Sequence, residues 1–246
     1  MNNFSERIKK LARQKSPLIL ANDYDDNKNL ENRTLKNIDT LSDYLCAIKF
    51  NMHVLLPLGE KQIQKITKKA HDNHLEVIAD IKLNDIGNTN LTALNTLWNL
   101  GFDCVIVNPI MGPDNLHNLI QFSHKNKKGI ISLCHMSSPE AKVTYELSVK
   151  LGSMETSLYK LFLEWATKMS ADGIIVGATF PEIIKFCKKQ SRGKLNIFSP
   201  GIGTQGGDID STLSAGSDYL IVGRTILNSK YPIDTARQIL KLIHKD

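Results

Sequence analysis

The chain has 246 residues, of which 41% are hydrophobic, and carries a formal net charge of +6 at pH 7. That length suits one α/β barrel with a substantial core, and no apolar stretch approaches the roughly 20 residues a membrane helix requires. The basic residues are dispersed, and the densest groups, Lys125 to Lys128 and Lys185 with Lys188 and Lys189, fall where helices should end, with no interleaved aromatics, so the charge favours an anionic small substrate over nucleic acid.

The N-terminal segment around Phe4 to Arg7 lacks the apolar core of a signal peptide and reads as an amphipathic helix, which predicts a cytoplasmic protein. Near-continuous apolar segments then follow at Leu18–Ala21, Leu45–Ile48, Val77–Ala79, Cys104–Val107, Gly129–Leu133, Gly173–Val176, Asn196–Phe198 and Tyr219–Val222. Such runs are expected of parallel strands covered on both faces. Apolar residues recur at helical spacing between them, over Leu58–His71, Leu116–Ser123 and Leu158–Met169. Most segments start roughly 23 to 32 residues apart, but the fifth and sixth start about 44 apart, which predicts an extra helix or turn there. Eight β-then-α units without a long linker argue for a single (β/α)8 TIM barrel, one domain over residues 1–246, rather than an open doubly wound sheet. Cys46, Cys104, Cys134 and Cys187 form no C-x-x-C pair; Cys104 and Cys134 lie in apolar runs and are expected to be buried thiols.

In a barrel the residues at the carboxyl ends of the strands gather at one face. Asp23 follows the first segment, Lys49 the second, and Asp80 and Lys82 the third, an alternating array of carboxylates and ammoniums. A structural ion-pair network accounts for any one of them. All of them together point to chemistry, because a buried charge costs on the order of several kcal/mol unless paired, and carboxylates around an ammonium shift proton affinities in opposite directions. Asp85 falls on the loop after the third strand, beyond the pocket of its own subunit, and alone reads as a helix N-cap or first-turn acid. Ser199 to Gly207, which includes Pro200, Gly203 and Gln205, follows the seventh strand, and Gly223–Arg224 follows the eighth. Barrels often bind phosphate on these two loops: glycines admit backbone N–H groups close to an anion, and Arg224 adds a charged fork. Ser137 could bond a substrate edge or cap the next helix. The histidines form no metal pattern; His71 and His74 sit in a polar helix end and read as solvated surface, so no metal or organic cofactor is expected.

Asp80-Ile81-Lys82-Leu83-Asn84-Asp85-Ile86 resembles the D-x-K-x-x-D-I signature of the orotidine 5'-phosphate decarboxylases. Leu18 to Asp23, Lys49, Met136-Ser137, Ser199 to Asp208 and Ile221 to Arg224 resemble that family's other blocks, in order, over most of the chain. The Gly203–Asp208 loop is similar to the short microbial form, and Asp85–Thr89 to the version common in eukaryotic members. The resemblance implies cofactor-free decarboxylation of orotidine 5'-monophosphate (OMP) to UMP, the last step of de novo pyrimidine nucleotide synthesis. It implies that Lys82 donates a proton to C6 of the pyrimidine, that Asp80 sits against the departing carboxylate, and that Lys49 and Asp23 hold the ribose hydroxyls and complete the charge array. Ser137 would contact the pyrimidine edge. Gln205 would bridge base and phosphate on a closing loop with Pro200 and Gly203, and Gly223 and Arg224 would bind the phosphate. Asp85, a member of the catalytic set, would reach with Ile86 and Thr89 into the site of a second subunit, which implies a homodimer with shared active sites. Asn51-Met52 and Asn108-Pro109 depart from the family pattern and bear on loop shape rather than chemistry. A metal-dependent sugar-phosphate decarboxylase or aldolase sharing the same core would be expected to carry an acidic ligand near the end of strand two, where Lys49 stands. A non-catalytic nucleotide- or RNA-binding barrel would not need the complete array.

Overall fold

The computed structural model describes residues 3–244. In chain order its first half comprises α1 (Phe4–Gln14), β1 (Leu18–Ala21), α2 (Leu30–Leu41), β2 (Ala47–Asn51), α3 (Met52–Leu55), α4 (Glu60–Asp72), β3 (Glu76–Leu83), α5 (Gly87–Asn99), β4 (Cys104–Val107) and α6 (Pro113–Lys125). There follow β5 (Gly129–His135), α7 (Ala141–Thr144), β6 (Ser148–Leu151), β7 (Met154–Ser157), α8 (Leu158–Lys168), β8 (Gly173–Val176), α9 (Pro181–Ser191), β9 (Asn196–Pro200), α10 (Ile209–Ser214), β10 (Tyr219–Val222), α11 (Arg224–Leu227) and α12 (Pro232–Ile243).

Strands β1, β10, β9, β8, β5, β4, β3 and β2 close in that order into an all-parallel barrel, the expected (β/α)8 architecture. β1, β4, β5, β8 and β10 are buried along their whole length, because side chains alternate between the lumen and the helical shell and neither side meets water. The long interval after β5 holds more than one extra helix or turn: α7 and an antiparallel β6–β7 hairpin fill it. β2, β3, β5 and β9 run past their apolar segments to Asn51, Leu83, His135 and Pro200. Ladder hydrogen bonds belong to the backbone, so polar side chains at the barrel mouth do not end a strand. All four cysteines are buried free thiols.

The amino ends of the strands are closed by α1. Phe4 is fully buried, and a Cβ on Gly129 would lie 2.3 Å from its ring, so glycine is required at that contact. Ion pairs between buried carboxylates and partly exposed cations surround this plug. Arg7 pairs with both Glu76 oxygens at 2.8 Å. Asp103 lies 2.7 Å from His71 Nε2 and 3.1 Å from Lys128 Nζ, and Asp172 lies 3.0 Å from His124 Nε2. His71 and His74 are exposed, as expected of a solvated helix end, and the His71 ring is in addition tied to the buried Asp103 carboxylate.

The hydrogen bond that His71 donates to Asp103 is the main cause of its raised pKa, and the one that His124 donates to Asp172 raises His124. Both rings keep their protons to higher pH in the fold than in the unfolded chain, where histidine titrates near 6.5. Their stabilisation is complete below about pH 6.5 and is lost as pH rises through the folded values. The urea midpoint is accordingly expected to fall as pH rises above about 6.5, with a flatter dependence in the His71→Gln/His124→Gln double variant. An unchanged slope in the double variant would reject this assignment.

Candidate active site

The carboxyl ends of the strands open on a cavity of about 270 Å³. Ile106, Leu133, Ile175 and Ile221, from β4, β5, β8 and β10, give it apolar lining. Asp23, Lys49, Asn51, Asp80 and Lys82 form a polar, largely charged sector contributed by the loop after β1 and by β2 and β3. The register sets Ala21 beside Lys49 and Asn51 beside Asp80. The two-residue period of a strand puts Lys49 with Asn51, and Asp80 with Lys82, on common faces.

Asp80 bridges both ammoniums, one on each oxygen: Lys49 Nζ lies 2.8 Å from Oδ2 and Lys82 Nζ 2.8 Å from Oδ1. Lys49 also lies 3.4 Å from Asp23 Oδ2 and donates to Asn51 Oδ1, while Asn51 Nδ2 donates to Asp23 Oδ2 at 3.1 Å. Burial is the largest influence on Lys49 and opposes its charge, but Asp80 and Asp23 outweigh it and its pKa is raised. Burial likewise pushes Asp80 up, and Lys49 and Lys82 outweigh it, holding the carboxyl below its ordinary value. The array is thus preorganised as fixed charge in a cavity with apolar lining.

Lys82 takes a backbone φ of +48°, a left-handed conformation rare for a residue with a Cβ. The register of β3 against β4 shifts between Ala79 and Leu83, an interval that includes the lysine. Such a conformation costs on the order of 1–3 kcal/mol and persists because the surroundings over-determine it, here including the Asp80 pair.

Across the cavity stand Met136, Ser137, Pro200, Gln205, Gly223 and Arg224. Two glycines allow this convergence. A Cβ on Gly177 would lie 2.4 Å from Ser137 Cα, and Gly201, at φ +97°, would bring one within 2.8 Å of Ser137 Cβ and 2.9 Å of Gln205 Oε1. Thr179 Oγ1 donates to the Ser137 carbonyl at 2.9 Å. The loop after β9 folds on itself through Gly203 N to Gly207 O and Gly207 N to Gly201 O, both 2.9 Å, and its Thr204 hydroxyl meets that of Thr225 at 3.1 Å. Gln205 and Arg224 are exposed at the rim.

The structure therefore brings together Asp23, Lys49, Asp80, Lys82, Ser137, Pro200, Gln205, Gly223 and Arg224. Gly203 stands in the loop between the lining residues Ile202 and Thr204 without lining the cavity. Asp85, Ile86 and Thr89 lie outside it, exposed at the start of α5; Asp85 Oδ1 accepts from Ile86 N at 2.7 Å and Ile86 is 65% exposed. Asn51 was legible only as a change in loop shape, yet it touches both Lys49 and Asp23. Its position two residues after Lys49 on one strand face was the available signal. Among the described residues no three His, Cys, Asp or Glu side chains converge as metal ligands, and no helix is long and apolar enough to cross a membrane.

Residues 16–239 match the family described as orotidine 5'-phosphate decarboxylase / HUMPS. The orotidine 5'-phosphate decarboxylase of Pyrococcus abyssi is 33% identical over 224 residues, 90% of this chain and 96% of that protein. The crystal structure of orotidine 5'-monophosphate decarboxylase from Methanocaldococcus jannaschii, complexed with the inhibitor BMP, matches with a TM-score of 0.77 at 29% identity, over 93% of this chain and 98% of that one. Leishmania donovani UMP synthase matches at 0.86 with 21% identity over 99% of this chain, a likeness of fold; the chain spans 56% of that longer protein.

Proposed function

The chain belongs to the orotidine 5'-phosphate decarboxylase / HUMPS family, and from that premise we propose that it decarboxylates OMP to UMP without a metal or organic cofactor. The observation that carries this reading is Asp80 held between two ammoniums, with Lys49 on β2 where a metal-dependent sibling would need an acid. Direct decarboxylation breaks the C6–carboxylate bond and leaves its electron pair on C6, where no cofactor can delocalise it. A fixed cation beside C6 must hold that charge. Lys82 supplies it, then passes an Nζ proton to C6 and is reprotonated from solvent. Asp80 faces the substrate carboxylate and disfavours the ground state. Lys49 and Asp23 hold the ribose hydroxyls, and Ser137 the pyrimidine edge. Phosphate binding by Gly223 and Arg224, with Gln205 closing over base and phosphate beside Pro200 and Gly203, supplies remote binding energy that is used at C6.

Asp85, Ile86 and Thr89, exposed outside their own cavity, complete the site of a second copy, so the working unit is a cytoplasmic homodimer of one-domain subunits. The test is incubation with OMP, following loss of the orotate chromophore and formation of UMP. A folded protein that leaves OMP unchanged would reject the reading.

Arg224→Ala is expected to weaken binding of 6-azauridine monophosphate by on the order of 1.5–3 kcal/mol, the size of a lost charge-assisted pair. Binding of the phosphate-free nucleoside, weak to begin with, should barely change. Equal losses for both ligands, measured by calorimetry or competition, would remove Arg224 from the phosphate site.

A further inference from the structure

We propose that Asn51 is a positioning residue, a neutral bridge that sets the spacing of Asp23 and Lys49 and thereby the site's selectivity for a nucleotide bearing ribose hydroxyls. This deepens the decarboxylase reading above and rests on it for the identity of the ligand. The Lys49 ammonium has three N–H donors and is 3% exposed, so each needs a protein acceptor. It finds Asp80 Oδ2 at 2.8 Å, Asp23 Oδ2 at 3.4 Å and the Asn51 carbonyl. The same amide then donates from Nδ2 to Asp23 Oδ2 at 3.1 Å. One oxygen of Asp23 thus accepts from both ammonium and amide, and its carboxylate plane is fixed from two directions. The other oxygen, Oδ1, is buried with no hydrogen-bond partner. That oxygen is closed to solvent, so the side chain presents the rest of its surface to the cavity, in the plane that Lys49 and Asn51 impose.

The side-chain type matters as much as the place. A carboxylate in place of the amide would accept from Lys49 but repel Asp23, and an ammonium would donate without accepting. Only a neutral group with one acceptor and one donor joins the two. Its charged neighbours come from each adjoining strand end: Asp23 after β1, Lys49 on β2, Asp80 and Lys82 on β3. His53 on α3 is turned to the Tyr24 carbonyl, 3.1 Å from its Nε2.

Two variants test the bridge. Asn51→Ala removes both amide bonds; kcat/KM for OMP should fall about tenfold or more, the scale of a lost hydrogen bond to a charged group, while kcat/KM for 2′,3′-dideoxy-OMP falls far less. Asn51→Asp keeps the shape but adds a charge. Its introduced carboxyl can again donate to Asp23 and accept from Lys49 once protonated, so its activity should recover toward wild type as pH falls, a limb absent from wild type and from Asn51→Ala. Equal losses on both substrates in Asn51→Ala, or a pH profile of wild-type form in Asn51→Asp, would overturn the proposal. If wild type leaves OMP unchanged, the decarboxylase reading fails and takes the selectivity claim with it. The bridge is then judged by thermal unfolding, where Asn51→Asp should gain on Asn51→Ala between about pH 8 and about pH 5.5; a pH-independent gap would overturn it.

Discussion

Replacing Lys82 is expected to abolish turnover and yet to leave a folded protein whose stability depends on the replacement in a specific way. Lys82→Ala removes both the cation that holds charge at C6 and the proton donor, and general-acid and electrostatic contributions together make a loss of about 10,000-fold or more in kcat/KM. Asp80 retains its 2.8 Å partner Lys49, so the buried carboxylate is not left unpaired. The backbone separates the stability effect from the catalytic one. At φ +48° any residue with a Cβ is strained, and glycine is not, so Lys82→Gly should be more stable than Lys82→Ala by about 1 kcal/mol, the reverse of the order at an ordinary strand position. Urea unfolding and steady-state kinetics on the two variants check both halves. Turnover by Lys82→Ala within tenfold of wild type would remove it from the chemistry, and no stability gain in Lys82→Gly would remove the strain.

Mixing Lys82→Ala with Asp85→Ala is expected to restore about a quarter of wild-type activity from two nearly inactive proteins. Lys82 lines its own cavity, whereas Asp85, three residues later, stands exposed outside it. If Asp85 serves a second copy, a hybrid dimer has one site with both wild-type residues and one site with neither. Random exchange makes about half the dimers hybrid, and half of two sites in half of the dimers is about one quarter. Native mass spectrometry can confirm that hybrids form. Confirmed hybrids without rescue would confine Asp85 to its own subunit or to no site at all.

The barrel was legible because strands buried on both faces have no reason to alternate polar and apolar residues; the apolar runs at Leu18–Ala21, Cys104–Val107, Gly173–Val176 and Tyr219–Val222 coincide with β1, β4, β8 and β10. The β6–β7 hairpin was not, because Ser148–Leu151 is largely exposed and has no buried face to impose a period. Asp23, Lys49, Asp80 and Lys82 stood out as charges terminating apolar strands. Asn51 did not, since a neutral amide beyond a strand reads as turn chemistry. The left-handed Lys82 has no signature at all in sequence, because lysine neither favours nor signals that conformation. The partner of His71 was hidden by distance: Asp103 is 32 residues away in the chain and comes to the same barrel end only through the strand register.

Turnover of OMP by protein stripped with EDTA tests most directly whether ion-paired lysines, rather than a bound divalent metal, carry the decarboxylation. Asp80 already answers to Lys49 and Lys82 at 2.8 Å each, so the site's central carboxylate is committed to ammoniums. The expected result is UMP and CO2 in equal amounts at an undiminished rate. Activity abolished by EDTA and restored by Mg2+ would contradict it and make the charged array the ligand set of a metal-dependent enzyme.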